Sequence, residues 1–375
     1  MTGKQLKNYT GNKFYNGRKL WDTGAPWLTV LSERSDGKSL WMLKECIIEY
    51  FKYGRKIGYV RRFDTDIKQK DVNGYFRDKN FIAWLQPAGY SGVMCWQGEL
   101  WLTALNEETG KNERVELIGY TFAINTQEHY KSQHFDCYNF LFEEFITKKL
   151  YLPNEYVEFC HTISTANRSG QFRAILIGNT LSRSCPYLRE MGIDIYKAKM
   201  GKIYVQDLTQ EDGAVIKSAF EYVDPREKQT VFIGSARKSI VDGAFEADPQ
   251  PHLYFNFNDC ETLYQCVYVT DLHQAFHVKY IIYEHPETKR IEKYVYIYPM
   301  DYDDVPYTHD DIFCNIPDYE HGYFYYAEKR RQRHIFAMLR AERALFSDNL
   351  TGTEFKQSLK KHNPFQIMAS TRRAI

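Results

Sequence analysis

The order of apolar and polar blocks near the start of the chain predicts a strand, a loop, a helix and a second strand. Residues 27–31 (WLTVL) form a short apolar run rich in strand-forming side chains, and the polar stretch 32–36 ends it. Between residues 40 and 51 apolar side chains recur at the spacing of one helical face, and Gly54 closes that segment. Residues 56–63 (KIGYVRRF) predict the next strand. Together these elements begin a βαβ unit.

The loop before the helix contains Gly37-Lys38-Ser39, the end of the phosphate-binding signature GxxxxGK[S/T], with Ser32 in place of the first glycine. The tripeptide alone arises by chance in about one chain in five of this length. Its position matters more, because a helix start attracts anions through its backbone N–H groups and its dipole. We expect Gly37 to admit the β-phosphate, Lys38 to bind the β- and γ-phosphates, and Ser39 to ligate Mg²⁺. The alternative is a capped helix with a solvent lysine. The other loop residues expected at the nucleotide are Ser32, Ser35 and Asp36.

A second apolar run, FLF at 140–142, ends in the acidic pair Glu143-Glu144. A nucleotide site needs such acids at the end of a neighbouring strand, and we assign Glu143 to the metal's hydration shell and Glu144 to the attacking water. The usual residue at the first position is Asp, which is one methylene shorter. The alternative is an acidic helix N-terminus with surface charges.

Three further residues fit the same chemistry. Asn179 ends the strand-like run RAILIG and is expected to contact the nucleotide there, although a helix cap is the alternative. Arg34 lies inside the loop. Arg168, in TANRSGQ, is placed to face a neighbouring subunit, where a cation can neutralise transition-state charge; an ordinary surface charge is the alternative. Arg61 and Arg62 end a strand near the nucleotide and are candidates for the site or for a subunit interface.

The second half of the chain has a different pattern. Residues 202–250 are polar and turn-rich, and 206–252 is predicted to be a lid or linker. Three runs at 264–269, 276–283 and 291–298 predict a β-meander, and helices are expected at 325–346 and 354–361. The predicted domains are therefore 1–205 and 253–375, on either side of that linker.

The composition excludes some classes of function but does not identify one. The 375 residues carry a formal charge of +1, so any nucleic-acid surface must be local. No apolar run approaches the ~20 residues of a membrane span, and no membrane association is expected. The eight cysteines include no CxxC pair and no histidine spacing typical of zinc.

Six segments taken in order resemble the genome-packaging ATPases of small protein-primed tailed phages, relatives of the large-terminase motors: ERSDGKS, KYGRKIGYVRRF, FLFEEF, YLPNEYVEF, NRSGQF and RAILIGN. The resemblance implies an α/β fold, with an N-terminal phosphate-loop ASCE-type ATPase domain built on a mainly parallel central sheet. A smaller α+β domain resembling a vestigial RNase H-like nuclease follows. By the same resemblance Arg34 and Lys38 belong to the loop, Glu144 is the catalytic glutamate, Arg168 is a finger acting in trans, and Lys131 is a second trans-acting candidate.

The resemblance also implies a function. Such proteins form a ring, usually of five copies, on the portal (connector) of an empty prohead, and use ATP and Mg²⁺ to drive double-stranded DNA inward. This implies a protein of the host cytoplasm that docks transiently on the prohead and is absent from the mature virion. We expect no nuclease activity, because the acids of the meander lack inward-facing partners.

A basic segment near the C-terminus is a candidate contact for DNA, or for a structural RNA such as some relatives use. Its residues are Lys329, Arg330, Arg331 and Arg333. A solvated helix face is the alternative. Two other functions stay open: a helicase-like translocating ATPase, and a nucleotide-binding assembly factor in which Ser32 and Glu143 have impaired hydrolysis.

Overall fold

The computed structural model describes residues 14–33, 36–130, 135–147, 151–183, 185–195, 197–224, 245, 247–270, 274–305, 312–314 and 330–361. The chain divides into two compact units. The first comprises residues 1–181 and 185–244, and the second comprises 182–184 and 245–375.

The first unit is built on a nine-stranded sheet in the order β3-β4-β5-β2-β6-β7-β1-β9-β8. Its strands are β1 (Trp27–Ser32), β2 (Lys56–Arg61), β3 (Gly92–Trp96), β4 (Glu99–Leu105), β5 (Asn112–Ala123), β6 (Cys137–Glu143), β7 (Arg173–Asn179), β8 (Lys202–Thr209) and β9 (Val215–Tyr222). The six central strands β5, β2, β6, β7, β1 and β9 are parallel, and antiparallel pairs extend the sheet at both sides. The predicted α/β fold with a mainly parallel sheet is confirmed.

Helices cover both faces of this sheet. They are α1 (Arg18–Trp21), α2 (Lys38–Tyr53), α3 (Gln69–Tyr75), α4 (Lys79–Leu85), α5 (Glu155–Ala166) and α6 (Pro186–Glu190), with 3-10 turns at Asp64–Ile67, Gln86–Ala88 and Ile124–Tyr130. The apolar side of α2 packs on one face, and Phe159 of α5 packs with Phe142 and Tyr187 on the other. Because both faces are covered, the central strands are almost entirely apolar.

One strand, β7, lies between the strand that precedes the phosphate loop and the strand that carries the acidic pair. All three strands run in the same direction, so their carboxyl ends meet at one edge of the sheet. This arrangement is the ASCE-type order that the resemblance implied.

The lid or linker predicted for 206–252 is wrong over its first part. Residues 202–209 and 215–222 form the hairpin β8–β9, and β9 pairs in parallel with β1. Only the Ser218–Phe220 stretch and Tyr222 of β9 are buried, whereas β8 is largely exposed. A half-exposed edge hairpin therefore carries mostly polar residues, which resemble a linker in sequence. Residues 225–244 lie outside the described part of the chain.

The second unit is a five-stranded sheet in the order β13-β10-β11-β12-β14. Its elements are β10 (Cys260–Val269), β11 (Ala275–Glu284), β12 (Ile291–Met300), β13 (Ile312–Cys314), α7 (Arg330–Arg340), β14 (Ala344–Phe346) and α8 (Asn349–Lys361), with 3-10 turns at Phe257–Asp259 and Tyr302–Asp304. The predicted meander is confirmed as β10–β11–β12. The helix predicted to continue to residue 346 ends at Arg340, because 344–346 pair with β12 as a buried strand.

Candidate functional site

The phosphate loop joins the end of β1 to the first residue of α2. Gly37 precedes the helix with φ +84°, a left-handed conformation that favours glycine, and an added Cβ would meet the Phe14 ring at 3.2 Å. Ser32 is different, since it lies within the extended strand and its buried hydroxyl donates to the Glu33 carbonyl at 3.0 Å. The backbone at Ser32 therefore does not need glycine. Arg34 and Ser35 lie outside the described residues.

Lys38 reaches from this loop to the next strand. Lys38 is buried, and its ammonium donates to Asn179 Oδ1 at 2.8 Å and to the Glu33 carbonyl at 3.1 Å. Asp36 is buried, and its carbonyl accepts from the Tyr15 backbone N–H at 2.9 Å, which ties the N-terminal segment to the loop. The structure thus brings together the predicted lysine and the predicted strand-ending asparagine.

A cavity of about 490 Å³ opens at the carboxyl edge of the parallel strands. That volume lies in the range of ordinary small-molecule sites. The predicted site residues that line it are Asp36, Gly37, Lys38, Ser39, Glu143, Glu144 and Asn179, together with Arg61.

The two adjacent glutamates differ in environment. Glu143 is buried at the end of β6, where its Oε2 accepts from the Tyr59 hydroxyl at 2.6 Å. Glu144 is exposed, with φ +57°, and its backbone N–H donates to the Ile177 carbonyl at 2.9 Å. A left-handed conformation at a residue other than glycine is strained and is typical of functional sites. This division matches a fixed metal carboxylate beside an accessible catalytic one.

The donor set at the base of the cavity suits magnesium. The Tyr75 hydroxyl lies close to both Ser39 and Glu143, and burial, followed by the charge of Glu143, raises its pKa well above the usual value. Hydroxyl and carboxylate oxygens are the ligands that Mg²⁺ prefers, and it commonly retains water and phosphate oxygens as well. Among the described residues no group of three or more His, Cys, Asp or Glu side chains could hold a metal ion. A metal here would therefore depend on Ser39, Glu143 and the nucleotide.

Arg61 and Arg62 follow one another but have different roles. Arg61 lies at the cavity, where its guanidinium donates to Glu144 Oε2 at 2.7 Å and approaches Glu143 Oε2 at 3.6 Å. Burial lowers the pKa of Arg61, but its acidic neighbours raise the pKa by a larger amount. The net shift is upward, so the side chain stays charged. Arg62 is buried, pairs with Glu155 at 2.8 Å, and donates to the carbonyls of Glu144 and Phe145. Arg62 therefore fixes the turn that carries the catalytic candidate.

The sequence analysis missed four residues at or beside this site: Tyr75 and Lys44, which line the cavity, Tyr59, which binds Glu143, and Glu155, which pairs with Arg62. Tyr59 lies among buried residues of β2, and this pattern indicates only a core position. Tyr75 is the last residue of helix α3, and only the tertiary packing of that helix brings it to the site. The contact between Tyr59 and Glu143 joins residues that are 84 positions apart in the sequence. The run KYGRKIGYVRR is the only sequence signal that pointed to this strand.

Arg168 lies away from the cavity of its own chain. It is exposed in the turn between α5 and β7, at the amino ends of the parallel strands. β7 runs from this turn to Asn179 and spans roughly 20 Å at the usual rise per residue. The second trans-acting candidate, Lys131, lies outside the described residues.

The basic segment of the second unit is only partly described. Lys329 lies outside the described residues, and Arg330 and Arg331 begin α7. Arg333, the third residue of the set in that helix, is exposed.

In the described part of the chain no helix is both long and apolar enough to cross a membrane.

The chain matches no family model and no curated protein. Among solved structures it is similar to the bacteriophage phi29 viral genome packaging motor assembly, at 18% identity and a TM-score of 0.51, over 94% of this chain and 100% of that chain. It is also similar to the Phi-28 gp11 DNA packaging motor, at 17% identity and a TM-score of 0.47, over 93% and 99% of the two chains. The N-terminal domain of the phi29 DNA packaging ATPase matches at 23% identity and a TM-score of 0.42, over 56% of this chain and 96% of that domain. The first of these matches spans nearly the whole chain, so the chain has the fold of the matched chain of that viral genome packaging motor assembly.

Proposed function

We propose that this protein is an ATP-driven motor that moves double-stranded viral DNA into a preformed prohead. The observation that carries the proposal is the convergence of Lys38, Ser39, Glu143, Glu144 and Asn179 on one cavity at the carboxyl edge of the sheet. A phosphate-binding lysine, a metal carboxylate and an accessible second carboxylate are the parts that nucleotide hydrolysis requires.

The site residues divide the work of hydrolysis between them. Lys38 would bind the β- and γ-phosphates, and Asn179, its hydrogen-bond partner, would sense whether the γ-phosphate is present. Ser39 and Glu143 would hold Mg²⁺, which neutralises phosphate charge when bound. Glu144 would orient the attacking water and accept its proton. Because Arg61 pairs with Glu144, Glu144 must leave this ion pair before it can act on water.

Arg168 would complete the site of a neighbouring copy. An exposed arginine at the opposite edge of the sheet cannot reach its own cavity, since the length of β7 separates them. In a ring, five copies in our proposal, it would stabilise transition-state charge across each subunit interface. The ring would dock on the portal in the host cytoplasm and leave before the virion matures, and no DNA cutting is expected. Arg333 and its basic neighbours would contact the backbone of DNA or of a structural RNA.

The test is steady-state ATP hydrolysis with Mg²⁺, duplex DNA and proheads, together with the amount of DNA protected from nuclease inside the capsid. We expect Lys38→Ala to abolish both signals. Arg168→Ala should lower turnover by about 10³-fold while nucleotide still binds. Gln171→Ala, an exposed change in the same turn as Arg168, is the matched control and should behave like the parent.

Other outcomes would overturn the proposal in identifiable ways. Nucleotide binding without turnover in the parent would indicate an assembly factor. Turnover accompanied by strand separation rather than protected duplex would indicate a helicase-like enzyme. Turnover in Lys38→Ala equal to that of the parent would remove the phosphate loop from any account of the activity.

A further inference from the structure

The turn that carries Arg168 is organised by one buried side chain, that of Asn167. Only 8% of Asn167 is exposed, although it ends helix α5 at the protein surface. Its Nδ2 donates to the Cys137 carbonyl at 2.5 Å and to the Gln171 carbonyl at 2.7 Å. Its Oδ1 accepts from the backbone N–H of Ser169 at 2.9 Å and from the Ser169 hydroxyl at 2.7 Å. Both donors and both acceptor positions of the amide are therefore used.

These four bonds join three parts of the structure. Cys137 is the first residue of β6, whereas Ser169 and Gln171 belong to the turn itself. The turn is thus closed on itself and fixed to the amino end of the neighbouring strand. Gly170 takes the left-handed conformation, φ +73°, that a tight reversal needs.

The far side of the turn is also fixed. Arg173 begins β7, is buried, and its NH1 donates to Glu49 Oε1 of α2 at 2.7 Å. The other oxygen of Glu49 accepts from Asn139 Nδ2 at 3.0 Å and pairs with Arg55 at 3.2 Å. The segment 167–173 is therefore tied to β6 at one end and to the helix of the phosphate loop at the other.

Arg168 contrasts with these neighbours. It is exposed, and it has no hydrogen-bond or ion-pair partner among the residues that the structure describes. The backbone on both sides of Arg168 is held by buried polar contacts, while its own guanidinium is left available. A side chain that acts on another molecule benefits from a rigidly held backbone, because a misplacement by about 1 Å can lower the rate 10²-fold.

We infer that Asn167 is a positioning residue, which holds the 167–171 turn so that Arg168 is presented to the cavity of a neighbouring copy. The inference rests on the proposed function of Arg168. It predicts that Asn167 affects turnover at the neighbour's site and leaves nucleotide binding at its own site unchanged.

The first experiment compares kcat and nucleotide affinity for Asn167→Ala and Gln171→Ala on proheads with duplex DNA. Asn167→Ala should lower kcat by about 100-fold with unchanged nucleotide affinity. Gln171→Ala should match the parent, because Gln171 takes part in the turn through its backbone carbonyl and backbone N–H, which the substitution keeps. Combining Asn167→Ala with Arg168→Ala should cost no more than Arg168→Ala alone, since both changes act through one group. Ser169→Ala removes the bond from the Ser169 hydroxyl to Asn167 Oδ1 and the bond that this hydroxyl accepts from the Gln171 backbone N–H, and it should lower kcat several-fold. This variant keeps the test decisive if Asn167→Ala does not fold.

The second experiment mixes two inactive proteins. Asn167→Ala subunits keep an intact nucleotide site, and Lys38→Ala subunits keep an intact turn and Arg168. A mixed ring should recover turnover above the sum of its parts, because the Lys38→Ala subunit supplies the arginine in trans. A variant that is merely unstable would not be rescued in this way.

The possible results separate the two proposals. Parental kcat in Asn167→Ala and Ser169→Ala, with Arg168→Ala inactive, would overturn the positioning role and leave the proposed function intact. Loss of turnover in Asn167→Ala without rescue in mixed rings would overturn it as well. Parental turnover in Arg168→Ala, or no turnover in the parent, would overturn the proposed function itself and the inference with it.

Discussion

The two edges of the central parallel sheet both contain charged side chains, but they arrange them differently. At the amino edge, Glu49 is buried and each of its carboxylate oxygens has fixed partners, Arg173 on one and Asn139 and Arg55 on the other. At the carboxyl edge, Lys38 and Glu144 line an open cavity instead. Charges that are matched and enclosed hold the fold together, whereas charges that converge on accessible space can act on a ligand.

The backbone shows the same difference. The left-handed residue in the turn at the amino edge is Gly170, for which that conformation costs little. At the carboxyl edge it is Glu144, for which the conformation is strained by about 1–3 kcal/mol. The strained residue persists because Arg62 binds its carbonyl and Ile177 accepts from its N–H. A strained residue is thus present where the chemistry is proposed, whereas the turn that carries Arg168 uses a glycine for the same conformation.

We expect the largest loss of activity from a change at Glu144, the accessible carboxylate of the carboxyl edge. Glu144→Gln keeps the size of the side chain and one acceptor oxygen but removes the base, so kcat should fall by about 10³-fold. Nucleotide affinity should stay near that of the parent, because the carboxyl is exposed and does not hold Lys38. Single-turnover hydrolysis and equilibrium nucleotide binding would measure the two quantities. Equal loss of both would place Glu144 in the binding of nucleotide rather than in catalysis.

A second prediction concerns the enclosed charges beside the same cavity. Arg62→Met should destabilise the protein by about 3–5 kcal/mol, because it leaves Glu155 as a buried unpaired charge. Arg61→Met is the matched control, and it should cost less because its nearer partner Glu144 is exposed and the buried Glu143 keeps its hydrogen bond from Tyr59. Urea unfolding of the two variants would compare them. Equal destabilisation would show that the difference in burial between the two arginines does not govern their contributions.

At the amino edge we predict a dependence of stability on pH. Burial raises the pKa of Glu49, but hydrogen bonds from Arg173 and Asn139 and nearby positive charges outweigh it, so the pKa lies below its usual value of 4.5. A depressed folded pKa stabilises the protein above the unfolded pKa, and this contribution is lost as pH falls through the folded value.

Glu49→Gln tests this dependence directly. We expect the variant to be less stable by about 2 kcal/mol near neutral pH, since Arg173 loses its charged partner. The difference should shrink below pH 4.5, where the parent loses the same contribution. Thermal unfolding between pH 3 and pH 7 would follow it, and a difference that does not change with pH would argue against an ionised Glu49.

The sequence predicted the parts of this molecule that depend on local pattern. β1, β2, β6 and β7 are confirmed because strands buried on both faces are continuously apolar. The hairpin β8–β9 was not predicted, because its residues are half exposed and its place beside β1 is a tertiary contact. Within the site, the sequence predicted that Lys38 and the strand-ending Asn179 both face the nucleotide, and the structure brings the two side chains together. The contact of Tyr59 with Glu143 was not predicted, because the sequence pattern at these residues indicates only a core position and a strand end.

At the carboxyl edge a weaker effect is expected from the bond between Tyr59 and Glu143. Tyr59 is buried, and its hydroxyl donates to Glu143 Oε2; burial and then the charge of Glu143 raise its pKa well above the usual value, so it remains a donor. Tyr59→Phe removes the bond that orients the metal carboxylate, and the Mg²⁺ concentration for half-maximal turnover should rise about tenfold. At saturating Mg²⁺ kcat should recover, because Glu144 is untouched. Tyr120→Phe, on the adjacent strand β5 and away from the cavity lining, is the control. An unchanged Mg²⁺ dependence would mean that Glu143 is held by the end of β6 itself, and that the buried charge at this edge is as fixed as that of Glu49 at the other.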